Sequence, residues 1–131
     1  LLQHTSGFSN LRSIFFGGGG TDWRSAAIAS VGSTLDTDPG TKYRYSNANF
    51  VILATLVEQI TGLPFDEAIR RRVFEPLGIT SAQLTGTRVT DRTGPAYAVD
   101  ASRNYMEVLG PAGAWCMTAA DTASGAASRP R

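Results

Sequence analysis

Apolar residues cluster in the middle of the chain and thin out on both sides. Phe50, Leu53, Val57 and Ile60 recur at spacings of three and four, the period of one apolar helix face. Ser46 stands where an N-cap is needed, and Gly62 followed by Pro64 supplies the stop. A second helix is predicted from about Phe65 to Phe74, with Phe65, Ala68, Ile69 and Val73 inward, Arg70 and Arg71 outward, and Pro76 and Gly78 ending it. The short Gly62-Leu63-Pro64 link implies two helices side by side, so a hairpin over about 47–79 is the expected core. Residues 1–38 lack sustained periodicity, contain Gly17 to Gly20, and read as loop with short helical pieces. Asp38-Pro39-Gly40 is a turn signal. Leu84 to Ala98 is turn-rich, with a polar stretch from Arg88 to Thr93. Thr118-Ala119-Ala120-Asp121 has capping-box spacing and marks another helix start. Nothing apolar follows it, so 122–131 is expected to be a disordered tail.

Composition sharpens this picture in two ways. Leu, Ile, Val and Phe together number 29, or 22% of 131 residues, and 14 of them lie between Phe50 and Ile79. That supply sits just above the roughly 20% level below which chains tend to disorder, so a complete, well-filled core is not evident in this sequence. Twelve basic and eleven acidic residues give a net charge of +1, which argues against a nucleic-acid partner. One Cys and one His exclude a disulfide framework and a Cys/His zinc site, so neither metal nor cofactor is expected. No apolar run reaches the ~18 residues of a membrane span. The first residue is Leu rather than Met, a hint of an internal segment.

Candidate chemistry is sparse. No Ser lies in G-x-S-x-G, and the glycine run lacks the Gly-Lys-Ser/Thr of a phosphate loop. His4 and Ser6, two residues apart, allow either a His–Ser nucleophile pair or, in the plainer reading, a turn anchored by hydrogen bonds. Cys116 reads as a small buried apolar residue rather than a nucleophile. Tyr45 and Asn47 are again two apart, just before a helix, and point into one pocket if the segment is extended. A Tyr hydroxyl with a lowered pKa moves protons, and an Asn amide orients a substrate. Ring packing and helix capping are the competing roles.

Four segments resemble, in order, motifs of the serine β-lactamase-related hydrolases, which include class C β-lactamases, D-Ala-D-Ala carboxypeptidases and esterases. They are Leu1 to Phe8 (LLxHTSG), Pro39 to Asn47 (PGxxxxYSN), Glu75 to Ile79 (EPLGM) and Gly113 to Asp121 (GGxxSTAxD). The resemblance implies an α/β (α+β) transpeptidase-like fold, of which this chain is a mainly α segment lacking most of the antiparallel sheet. It implies hydrolysis through an acyl-enzyme on β-lactam, D-amino-acid peptide or ester substrates. By motif, Tyr45 exchanges protons with nucleophile or leaving group and Asn47 binds substrate.

The family's nucleophile motif, S-x-x-K, is not in this sequence. The single Lys, Lys42, has Pro39 three residues before it, and no K-T-G or H-x-G occurs. In an extended strand Lys42 points away from Tyr45. The chain is therefore expected to be the central part of such an enzyme, a partial domain over 1–131 that is inactive alone. The alternative is a degenerate, non-catalytic binding module of the same family. A third reading is an unrelated esterase using His4 and Ser6. Apolar faces left without their sheet predict association through exposed surface. Many family members are exported, but no signal-peptide pattern precedes the first motif, and compartment stays open.

Overall fold

The computed structural model describes residues 1–10, 22–84 and 110–127. The glycine run at 17–20, the turn-rich stretch beyond residue 84 and residues 128–131 lie outside them. Helix α1 spans Trp23–Val31, α2 Ala48–Thr61, α3 Phe65–Ile69 and α4 Ala119–Ala127; β1 (Gln83–Leu84) pairs antiparallel with β2 (Trp115–Cys116). Helix and loop dominate the described residues, as the sequence implied, and this pair is their only sheet.

Helix α2 ends where expected. Gly62 adopts the left-handed conformation (φ 68°), and its N–H bonds to the Glu58 carbonyl. Its start differs. Ser46 is not a cap: its hydroxyl is buried without a hydrogen-bond partner among the described residues. The N-cap position is Asn47, which makes no side-chain cap bond. The N–H groups just ahead of the helix find acceptors far away, His4 Nδ1 taking Ser46 N–H at 3.1 Å and Asn10 Oδ1 taking Asn47 N–H at 2.7 Å, while Asn49 and Phe50 N–H bond locally to the Ser46 and Asn47 carbonyls.

The predicted inner face of α2 is corrected. Ile60 is 82% exposed, and Phe50, Leu53 and Val57 are only half-buried, whereas Val51, Ile52 and Ala54 are buried. Seven of the eight residues from Phe50 to Val57 are apolar, so spacing alone selects no unique face. The partner decides it. Val51, Ile52 and Ala54 share a core with Trp23 and Ala27 of α1 and Phe65 of α3. The principal partner of α2 is thus α1, from the stretch read as loop with short helical pieces.

The expected side-by-side hairpin is corrected too. The segment Phe65–Leu77 leaves α2 at a bend of 77°. Pro64 is extended before α3 (φ −52°, ψ 145°), and the first N–H of α3, on Phe65, is held by Glu58 Oε1 at 2.8 Å. Beyond α3 the chain makes a π-turn, Arg70–Phe74, then a 3-10 turn, Glu75–Leu77, which left-handed Gly78 ends. The wider π-turn carries Phe74 into the place predicted for Val73. Phe74 is buried with Ile79 and Ala82, and Val73 is 40% exposed. Trp115 on β2 joins the two clusters, its ring 6.2 Å from Phe65 and 4.9 Å from Phe74.

Helix α4 begins at the predicted capping site, with Asp121 N–H on Thr118 Oγ1 at 3.2 Å. It runs on to Ala127, which corrects the expected disorder for 122–127. Cys116 is half-buried rather than buried. No single helix among the described residues is long and apolar enough to cross a membrane.

Candidate active site

The candidate site is built on a backbone clamp between residues 4–7 and 36–46. His4, Thr5 and Gly7 carbonyls accept from Arg44, Gly40 and Asp36 N–H groups at 2.7, 2.7 and 2.8 Å. Gly7 is required here. Its φ is +85°, and a Cβ would overlap the Thr37 carbonyl oxygen. Arg44 and Asp36 add an ion pair at 3.6 Å.

On this clamp Tyr45 and Asn47 come together, as their spacing predicted. Tyr45 Oη donates to Asn47 Oδ1 at 2.7 Å, and the Tyr45 side remains 55% exposed. The phenol proton is thus directed at the Asn47 amide oxygen. The Asn47 amide has two further donors on Nδ2.

His4 and Ser6 do not form a nucleophile pair. Ser6 Oγ donates to Asn49 Oδ1 at 2.6 Å. His4 Nδ1 faces Ser46 N–H and, at 3.3 Å, Asn49 Nδ2. The turn-anchor reading of His4 is the one the geometry supports. The His4 ring lies 4.7 Å from that of Tyr45, with Tyr43 and Phe50 at 5.7 and 5.5 Å.

Asn49 escaped the sequence reading, although it is fully buried. The available signal was a second Asn two residues after Asn47, which a helix start places on a different side. A second polar cluster also escaped it. Asp121 Oδ2 accepts from Ser81 Oγ at 2.6 Å, Ser81 N–H at 2.9 Å and Thr80 N–H at 3.2 Å, and Ser81 Oγ takes Thr118 N–H. The Ser81 hydroxyl and the two N–H groups, opposed by burial, hold the Asp121 carboxyl below its ordinary value. At Glu58 burial pushes the carboxyl up, but bonds from Arg24 (2.6 and 2.9 Å) and Phe65 N–H outweigh it and lower it. Among the described residues no group of three His, Cys, Asp or Glu side chains is arranged to hold a metal.

A D-aminopeptidase of Brucella anthropi is 38% identical over 71 residues, covering 54% of this chain and 14% of that protein. A penicillin-binding protein of Bacillus subtilis is 27% identical over 108 residues, 75% of this chain and 23% of its own length. The chain thus spans under a quarter of either relative. Among solved structures, a D-stereospecific amidohydrolase from Streptomyces sp. superposes with a TM-score of 0.71 at 26% identity, covering 95% of this chain and 44% of the other. D-amino acid amidase from Ochrobactrum anthropi SV3 gives 0.70 at 23% identity, over 95% and 40%. These likenesses place the helices and the short sheet within the β-lactamase/transpeptidase fold. The β-lactamase family profile matches residues 1–129: the chain belongs to the β-lactamase family.

Proposed function

We propose that this chain is the central part of a serine hydrolase that acts through an acyl-enzyme on amide, peptide or ester substrates. Its nucleophile would lie in an S-x-x-K segment outside these 131 residues, as would most of the antiparallel sheet. The observation that carries the reading is the Tyr45 Oη–Asn47 Oδ1 contact of 2.7 Å at the start of α2. The names of the relatives, D-aminopeptidase and D-amino acid amidase, favour amide substrates.

In this reading the neutral S-x-x-K lysine takes the Tyr45 proton that Asn47 otherwise accepts, which leaves a phenolate beside an ammonium. Oη takes the proton of the attacking serine hydroxyl. It hands that proton to the leaving amine or alcohol as the acyl-enzyme forms, and water then releases the acyl group. Asn47 Nδ2 donates to a substrate oxygen and fixes its orientation.

A serine-reactive fluorophosphonate tests the assignment. The chain alone is expected to take no label, and a labelled Ser within it would overturn the reading. Joined in one protein with an S-x-x-K segment it is expected to label. Tyr45→Phe should then slow acylation by roughly 10²–10⁴-fold, the usual weight of a positioned proton-transfer group.

A further inference from the structure

We propose that His4 is a positioning residue for Tyr45, held as the Nε2–H tautomer by Ser46 and Asn49; its role rests on the reading of Tyr45 as the proton-transfer group. His4 has a φ of 56°, in the left-handed region that non-glycine residues seldom occupy. Such a conformation persists where its surroundings over-determine it. Here His4 N–H bonds to the Leu1 carbonyl at 3.0 Å, and the His4 carbonyl accepts from Arg44 N–H at 2.7 Å.

The ring is fixed as firmly as the backbone. Ser6 Oγ donates to Asn49 Oδ1, which turns the Nδ2 side of that buried amide toward His4. Ser46 N–H, which can only donate, meets the same ring nitrogen at 3.1 Å. With two donors aimed at it, Nδ1 carries no proton, and the single proton of the neutral ring sits on Nε2.

The consequence falls on Tyr45. An exposed Tyr is free to change rotamer unless something holds its ring. The His4 ring lies against it at 4.7 Å with a 35° tilt, and Asn47 holds its hydroxyl. A relay of contacts therefore runs from half-buried Ser6 and buried Asn49 through His4 to the exposed phenol. His4 acts through Tyr45 and touches no substrate.

Imidazole and tyrosine-ring NMR on the full 131-residue chain tests this, with His4→Asn as the variant. Asn tolerates the left-handed backbone and keeps a side-chain acceptor, but removes the ring. The native chain is expected to show the Nε2–H tautomer and cross-peaks between the His4 and Tyr45 rings. In His4→Asn the Ser46 and Asn49 amide signals should stay in place while the Tyr45 ring signals move to those of an unstructured tyrosine. An Nδ1–H tautomer, missing cross-peaks in the native chain, or unmoved Tyr45 signals in a folded variant would each overturn the proposal. The native-chain measurements decide it even if the variant does not fold. Fluorophosphonate labelling of the chain alone would sink the functional reading without touching any of these signals.

Discussion

At Asn49 a neutral amide is closed off from water and bonded to Ser6 and His4, 43 and 45 residues back; at Asp121 a partly exposed carboxylate collects bonds from Thr80 and Ser81, 41 and 40 residues back. Both clamps join distant parts of the chain through a few side-chain atoms. They differ in what surrounds them. Around Asn49 a lost bond leaves a buried polar group unpaired, whereas around Asp121 water replaces it at small cost. The enclosed clamp holds the aromatic ring beside Tyr45, and the open one fastens the start of α4 to the turn before β1.

The largest expected effect comes from breaking the enclosed clamp at its backbone. Gly7→Ala puts a methyl group into the Thr37 carbonyl and a non-glycine at φ +85°, and should lower unfolding stability in urea by about 3 kcal/mol or more. Asn49→Leu keeps the bulk and removes both bonds, leaving the Ser6 O–H without its acceptor while Phe8 N–H still bonds to Ser6 Oγ. A loss of about 1–3 kcal/mol is expected by the same measurement. Glu58→Gln breaks the ion pair with half-exposed Arg24 but leaves an acceptor for Phe65 N–H. It should cost only about 0.5 kcal/mol, fading in high salt.

Asp121→Asn is the smallest change and shows as a pH dependence. The folded carboxyl titrates below its unfolded value of about 3.8, so its stabilisation is present above that value and disappears as pH falls through the folded one. In acid unfolding curves the substitution should flatten the slope at low pH: its small cost appears at neutral pH and vanishes below the folded value. A neutral-pH loss as large as that of Asn49→Leu would erase the contrast between the two clamps.

Much of the punctuation was legible in the sequence. Gly62 and Gly78 end their helical segments because a left-handed residue is needed there, and Tyr45 and Asn47 meet because two residues of extended chain put side chains on one side. What escaped depended on partners rather than on local pattern. Helix α1 buries Trp23, Ala26, Ala27 and Ser30, a mostly small-residue face that gives little apolar signal, although Asp22 caps its Arg24 and Ser25 N–H groups. The inner face of α2 was chosen by α1, and Val73 lost its place to Phe74 through a π-turn no spacing rule anticipates. Asn49 looked like one polar residue among apolar ones, since its partners lie more than forty residues away.

An open apolar groove of about 260 Å³ remains between α1 and α2, lined in part by Ile28, Val31, Ile52 and Leu56. Exposed Ile28 (73%) and Val31 (62%) border it. We propose that this face drives the isolated chain to associate, and light scattering that reports a monomer at high concentration would refute it.

The borrowed caps of α2 also bear on the order in which the chain folds. A helix normally carries the acceptors that open it, so it can nucleate from its own sequence. Here the N–H groups of Ser46 and Asn47, which lead into the helix, are held by His4 and Asn10, and each bond forms only after a loop of roughly forty residues has closed. The lead-in to the helix is therefore fixed late, although the first turn itself is bonded locally. It becomes secure in the same step that brings the beginning of the chain home and seats the ring against Tyr45, so the site and the entry to its main helix are won or lost together.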